Sequence, residues 1–223
     1  MAPMSPRPDT RERILNAALE LFNQQGVPAV TTNHIAAYLQ ISPGNLYYHF
    51  RNKRMIVADL FDRYEAAVAG FLQLPADREV TLDDKADYLE ALLGSIWEYR
   101  FVQRNLEQLL DDDPLLAERY RQFIDRHLKA ARTIYQGFAD AGLLRMDATQ
   151  VEDIALNAWI VITSWVRFLY TAGVRSERLS EALLRRGVYQ VLALEEGFIT
   201  EPARAGYIAL CRRFRVPLDA PLG

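Results

Sequence analysis

The chain has 223 residues, half of them apolar and a quarter charged, which permits a sizeable buried core and excludes a wholly disordered chain. Its single cysteine, Cys211, excludes an internal disulfide framework and points to a reducing cytoplasm. A net charge of −3 argues against a generic nucleic-acid coat, but the charge is divided along the chain. Residues 1–57 hold six Lys/Arg against three acids, and the remainder holds twenty against twenty-six. A basic head on an acidic body is the pattern of a nucleic-acid-binding module joined to something else.

Residues 1–8 carry three prolines and no periodicity, and read as a flexible arm without the apolar run of a secretory signal. Asp9 and Glu12 have capping-box spacing and open a first helix, in which Ile14, Ala17, Ala18, Leu21 and Phe22 form one apolar stripe. Gly26 stops it. Thr31 and Thr32 cap a short second helix with Ile35, Ala36 and Leu39 inward, and Gln40-Ile41 turns the chain. Ser42 caps a third helix with Pro43 at its first position, where the missing N–H costs nothing. Leu46, Tyr47 and Phe50 complete a small core.

Helical patterns continue over about 53–72, 82–110, 114–141, 148–171, 176–196 and 203–214, with no strand alternation and no repeat. The fold class is therefore all-α: a three-helix head at 9–54 and a larger helical body at 55–223. The segment 154–171 is long and mostly apolar, but Asn157 and Arg167 interrupt it, so it reads as a core helix and not as a membrane span.

The segment from Thr32 to Phe50 has the form needed to read duplex DNA: two short helices at a tight turn, one of them exposed enough to enter a major groove. Gly44 permits close backbone approach, and Asn45 can donate to and accept from a base edge. Tyr48, His49 and Lys53 carry donors suited to phosphates, while Thr32 and Ser42 stand at helix N-termini that welcome anions. A helical hairpin that merely packs would explain Leu46 and Phe50 but not Tyr48 and His49 on an open face.

The runs Thr31-Thr32-Asn33-His34-Ile35-Ala36 and Ile41-Ser42-Pro43-Gly44-Asn45-Leu46-Tyr47-Tyr48-His49-Phe50, followed by Lys53, strongly resemble the head of the TetR family of bacterial repressors. The motif resemblance covers about residues 9–60; the rest is similar only in length and helicity. Gln40 departs from the glycine that many members carry in the turn. The resemblance implies that Tyr48, His49 and Lys53 hold the phosphate backbone while Ser42, Gly44, Asn45 and Tyr47 face or flank the bases, with Thr32, Asn33 and Pro43 completing the DNA-binding set. It also implies a homodimer on a palindromic operator, released by a small, largely apolar effector held in the body. A regulator answering to a protein partner, or an activator, is the alternative.

For the effector, the bulky or polar-tipped candidates are Trp97, Phe101, Phe123, His127, Tyr135, Asn157 and Trp165, each of which could equally be plain core. Arg167 could meet a ligand carboxylate or a neighbouring acid. Leu184, Gly187, Val188, Val191 and Leu192 form a stripe suited to a dimer interface, with Gly187 letting another helix approach. No catalytic constellation, paired-cysteine metal site or Gly-rich phosphate loop stands out, and Asp111-Asp112-Asp113 before Pro114 reads as a helix start. The expectation is a cytoplasmic, non-enzymatic protein with no cofactor, metal or membrane partner.

Overall fold

A computed structural model describes residues 9–216, so the expected arm at 1–8 lies outside the described residues. Among them are ten α-helices, three short 3-10 turns, one isolated antiparallel bridge (Leu144 with Ile199) and no strand. The helices are α1 (Thr10–Gln25), α2 (Thr32–Tyr38), α3 (Pro43–His49), α4 (Lys53–Phe71), α5 (Leu82–Glu98), α6 (Arg100–Asp112), α7 (Pro114–Asp140), α8 (Ala148–Thr171), α9 (Glu181–Glu195) and α10 (Arg204–Phe214).

Most boundaries follow capping chemistry legible in the sequence. Ser42 Oγ accepts from Asn45 N–H at 3.1 Å. Asp113 Oδ1 accepts from Leu115 and Leu116 N–H at 3.0 and 3.2 Å, so the acidic run is a helix cap. Thr31 and His34 form a reciprocal capping box, which occupies one of the three histidines locally. Asp9 stands at the N-cap of α1, but its side chain makes no capping bond. Gln40 takes φ +56°, the left-handed conformation expected of a turn in which this chain lacks glycine.

Two expected helices are divided. The helix expected over 82–110 breaks at Tyr99, whose backbone leaves the helical region at φ −109°, ψ 30°. The cause is in α1: the Asn23 amide donates to Glu98 O at 2.7 Å and accepts from Phe101 N–H at 3.0 Å, so one buried side chain satisfies both backbone groups at the break. Asn23→Ala is expected to cost about 2 kcal/mol by orphaning them, as read from chemical denaturation. The helix expected from 176 begins instead at Glu181, because Ser180 Oγ accepts from Leu183 N–H and Ser176–Arg178 forms a separate 3-10 turn.

The head's core, built on Ile14, Phe22, Ile35, Leu46 and Phe50, does not stop at residue 54. It takes in Ile56, Leu60 and Phe61 of α4 and continues through Phe101, Tyr120 and Phe123 of the body. A second core fills the rest of the body between α5, α7, α8, α9 and α10. Helix α6 ties head to body by polar contacts as well. Asn105 Oδ1 accepts from Val27 N–H at 3.1 Å, and the Arg104 guanidinium donates to Ser176 Oγ at 2.7 Å while lying 4.6 Å from the Tyr170 ring centroid.

Candidate DNA-binding face and body cavity

Helix α3 buries only Leu46, with Phe50 buried just beyond its end, and turns the rest of its surface outward. Ser42, Pro43, Gly44 and Asn45 are exposed, and Tyr48 is 86% exposed, an extreme value for an aromatic side chain. Tyr47, expected both in the small core and beside the bases, is 46% exposed and lies outside the core; its hydroxyl stands 3.1 Å from Thr32 Oγ1 and links the two helices. Leu46 and Phe50 are the inward pair that fixes the face. Asn33 is exposed next to Thr32, and the His49 ring packs edge-on against Tyr48 with centroids 5.2 Å apart. The result is an open face of hydroxyls, an amide and an imidazole on a narrow helix, able to hydrogen-bond base edges and phosphates.

Lys53 differs from the expectation of a free phosphate-seeking cation. Its Nζ donates to Val27 O at 2.7 Å and Val30 O at 2.9 Å, so it clamps the first residue of α4 onto the 3-10 turn of the head. Partial burial lowers its pKa from the ordinary lysine value. One N–H remains for a phosphate, and the charge sits at the base of the face.

The body holds a cavity between α4, α5, α7 and α8, with about 810 Å³ between protein atoms including its mouth, within the range of small-molecule sites. Its walls are mainly apolar and aromatic. Of the seven expected lining residues, the structure brings together Phe123, His127 and Tyr135, one face of α7. The other four lie elsewhere. Phe101 is fully buried against Phe22 at the head–body joint. Trp97 is covered by the Arg100 guanidinium, 4.3 Å from its ring centroid. Asn157 is exposed on α8, and Trp165 donates its indole N–H to Leu183 O at 2.8 Å. The wall residues missing from the expectation include Tyr64, Lys85, Tyr88 and Trp159. The stripe 123–127–131–135 on α7 was the available signal for this face.

The cavity's polar groups lie at different places. His127 has its Nδ1 2.7 Å from Phe123 O and its ring 4.0 Å from that of Phe123, and burial lowers its pKa, favouring the neutral imidazole. Lys85 and Glu195 form a buried ion pair, Nζ lying 2.9 and 2.8 Å from the two carboxylate oxygens. The Tyr135 hydroxyl donates to Glu195 Oε1 at 2.5 Å, and both burial and that carboxylate hold its pKa well above the ordinary tyrosine value. Arg167 pairs on the surface with Glu107, so it is not a cavity group. Burial and the neighbouring Glu195 push the Cys211 thiol up, the opposite of an activated nucleophile.

The five residues expected at a dimer interface are buried within the chain itself. Leu184, Val188, Val191 and Leu192 belong to the body core, and a Cβ on Gly187 would stand 2.4 Å from the Trp165 ring. The close approach foreseen for Gly187 is thus made by this chain's own α8. The exposed apolar side chains are Leu156, Ile160 and Phe168 of α8 and Leu194 of α9, flanking a shallow groove floored by Ser164 and Ala193.

An exposed helix-turn-helix on a helical body defines the class: a DNA-binding transcription regulator. Comparison with known proteins agrees. Residues 14–60 match the model described as bacterial regulatory proteins, tetR family, and residues 63–207 match that of a bacterial transcriptional repressor. The chain is 41% identical over 182 residues to the HTH-type transcriptional regulator UidR of Escherichia coli K12, covering 81% of this chain and 87% of that protein. Its head alone is 43% identical over 47 residues to the class D tetracycline repressor of Escherichia coli, 21% of this chain and 22% of the repressor. A crystal structure of a TetR-family regulator from Marinobacter aquaeolei VT8 superposes with TM-score 0.86 at 45% identity, covering 94% of this chain and all of the other. The chain belongs to the TetR family of transcriptional regulators.

Proposed function

We propose that the protein is a cytoplasmic repressor that binds a two-fold symmetric operator as a homodimer and is released by a small, largely apolar effector in the body cavity. The observation that carries this reading is the placement of α4. Its first residue, Lys53, is hydrogen-bonded to the head, and Tyr64, Val68 and Leu72 further along it line the cavity. A ligand that displaces the cavity end of this helix moves the head with it. Release then depends on the ligand's differential affinity for the two head spacings.

Helix α8 is long and apolar enough to cross a membrane by length and composition. We assign its outward apolar face to a partner protomer instead: the exposed row on α8 and α9 supplies a self-complementary patch. Two heads then meet two half-sites a groove-matched distance apart. No catalytic role is assigned to any residue.

The test is fluorescence anisotropy on DNA from upstream of the protein's own gene, with random DNA as control and salt varied. Binding is expected to be much tighter on the specific duplex and to weaken steeply with salt. Tyr48→Ala is expected to weaken both duplexes alike, whereas Asn45→Ala relaxes preference at one base pair by about 1–3 kcal/mol. Equal losses on both duplexes for Asn45→Ala would remove it from the base-reading set.

A further inference from the structure

The cavity's hydrogen-bonding groups are few, and most are already committed. The Tyr88 hydroxyl donates to Gln73 O at 2.6 Å, Thr163 to Trp159 O at 2.8 Å, and Tyr135 to Glu195. Two places keep capacity for a guest.

The first is His127. A carbonyl oxygen can only accept, so the 2.7 Å contact with Phe123 O places the ring hydrogen on Nδ1. In the neutral ring Nε2 is then a bare acceptor, and among the described residues no protein donor reaches it. Close by, the Tyr64 hydroxyl accepts from Gln103 Nε2 at 3.2 Å and has its own hydrogen uncommitted among the described residues. Tyr64 and His127 flank the same Phe123 ring, at 5.4 and 4.0 Å between centroids. An acceptor and a donor at one place suit a hydroxyl group, which uses both.

The second is Lys85. Two of its three N–H groups face the Glu195 oxygens, leaving one. The ammonium lies 5.0 and 4.6 Å from the Tyr135 and Phe138 ring centroids, at the far end of the α7 stripe. Because Glu195 is fully buried behind it, this pole is a hydrogen-bond donor whose charge is already balanced. A ligand carboxylate there would be a third buried charge beside a matched pair, at a desolvation cost with no free counter-ion. His127 and Tyr135 are eight residues apart on one helix, an axial separation of about 12 Å.

Resting on the reading of the cavity as an effector site, we propose that the effector is an uncharged, elongated aromatic molecule with a hydroxyl at one end, for His127 and Tyr64, and a carbonyl-type acceptor at the other, for Lys85. The stacked walls of Phe123, Trp159 and Phe138 hold its rings.

The test is isothermal titration of the full chain with four rigid probes of matching length: 4-acetyl-4′-hydroxybiphenyl, 4-acetylbiphenyl, 4-hydroxybiphenyl and 4′-hydroxybiphenyl-4-carboxylate. The first is expected to bind about 10-fold tighter than either single-ended probe, and the carboxylate more weakly than the ketone, since each neutral hydrogen bond contributes about 1 kcal/mol. In His127→Phe, which keeps an aromatic ring, the advantage conferred by the hydroxyl is expected to vanish while that of the ketone remains. Equal binding of all four would overturn the two-pole assignment and leave the effector site standing. Tightest binding by the carboxylate would overturn the uncharged class. Absence of binding by all four would count against both the poles and the cavity as a ligand site. The wild-type series decides these outcomes even if the variant does not fold.

Discussion

Lys85→Met is expected to lower the unfolding free energy by about 3–5 kcal/mol, the cost of leaving a buried carboxylate without its counter-ion. Glu195 is fully buried and Lys85 nearly so, and the pair joins α5 to α9 across 110 residues of sequence. The Tyr135 and Tyr207 hydroxyls also approach the carboxylate, at 2.5 and 3.3 Å, which places the expected loss toward the lower end of that range. Glu195→Leu strands the ammonium against two aromatic rings and is expected to be comparably destabilising. The double variant Lys85→Met/Glu195→Leu buries no charge and is expected to lose less than the sum of the two singles. Urea unfolding of all four proteins measures the coupling; additive losses would show that the two groups do not stabilise each other.

The second large effect concerns the outward face of α8 and α9. Ile160 and Phe168 are 51% and 45% exposed, a costly arrangement for a chain that stays alone in water. Replacing both with aspartate leaves the chain's own core untouched, so its melting temperature as a monomer is expected to change little. At a two-fold interface each new carboxylate would meet like charge across the axis. Sedimentation equilibrium is expected to show a monomer. Operator affinity is expected to fall about 10²–10⁴-fold, because the second head loses the effective concentration that linkage gave it. A variant that stays dimeric with full affinity would place the partner contact on another surface.

How much of this was legible beforehand depends on the range of the interaction responsible. Caps and turns are local, so Ser42, Asp113 and Gly142 marked their helix ends, and the pattern around α2 and α3 located the exposed face with Tyr48 outward. The break at Tyr99 was not legible, since it is set by Asn23, more than seventy residues away, and nothing around 99 is a breaker. The same limit governs the cavity. Periodicity on α7 assembled Phe123, His127 and Tyr135, but it could not say which face of α8 turns inward, and so Asn157 and Trp165 were chosen where Trp159 and Thr163 line the wall. An apolar stripe on α9 reads alike whether it meets another protomer or its own core, and Gly187 proved to accommodate Trp165 of the same chain. Lys53 matched a phosphate contact by type, while its carbonyl partners at Val27 and Val30 required the fold.

The most direct test of a dimeric, sequence-specific regulator is selection of duplexes from a random pool by the purified full-length protein, followed by measurement of the protein-to-DNA stoichiometry on the enriched sequence. The reading predicts an enriched sequence with two inverted half-sites, spaced by about one helical turn or a multiple of it, binding an even number of chains per duplex. A pool that remains unenriched, or a single half-site occupied by one chain with full affinity, would contradict it.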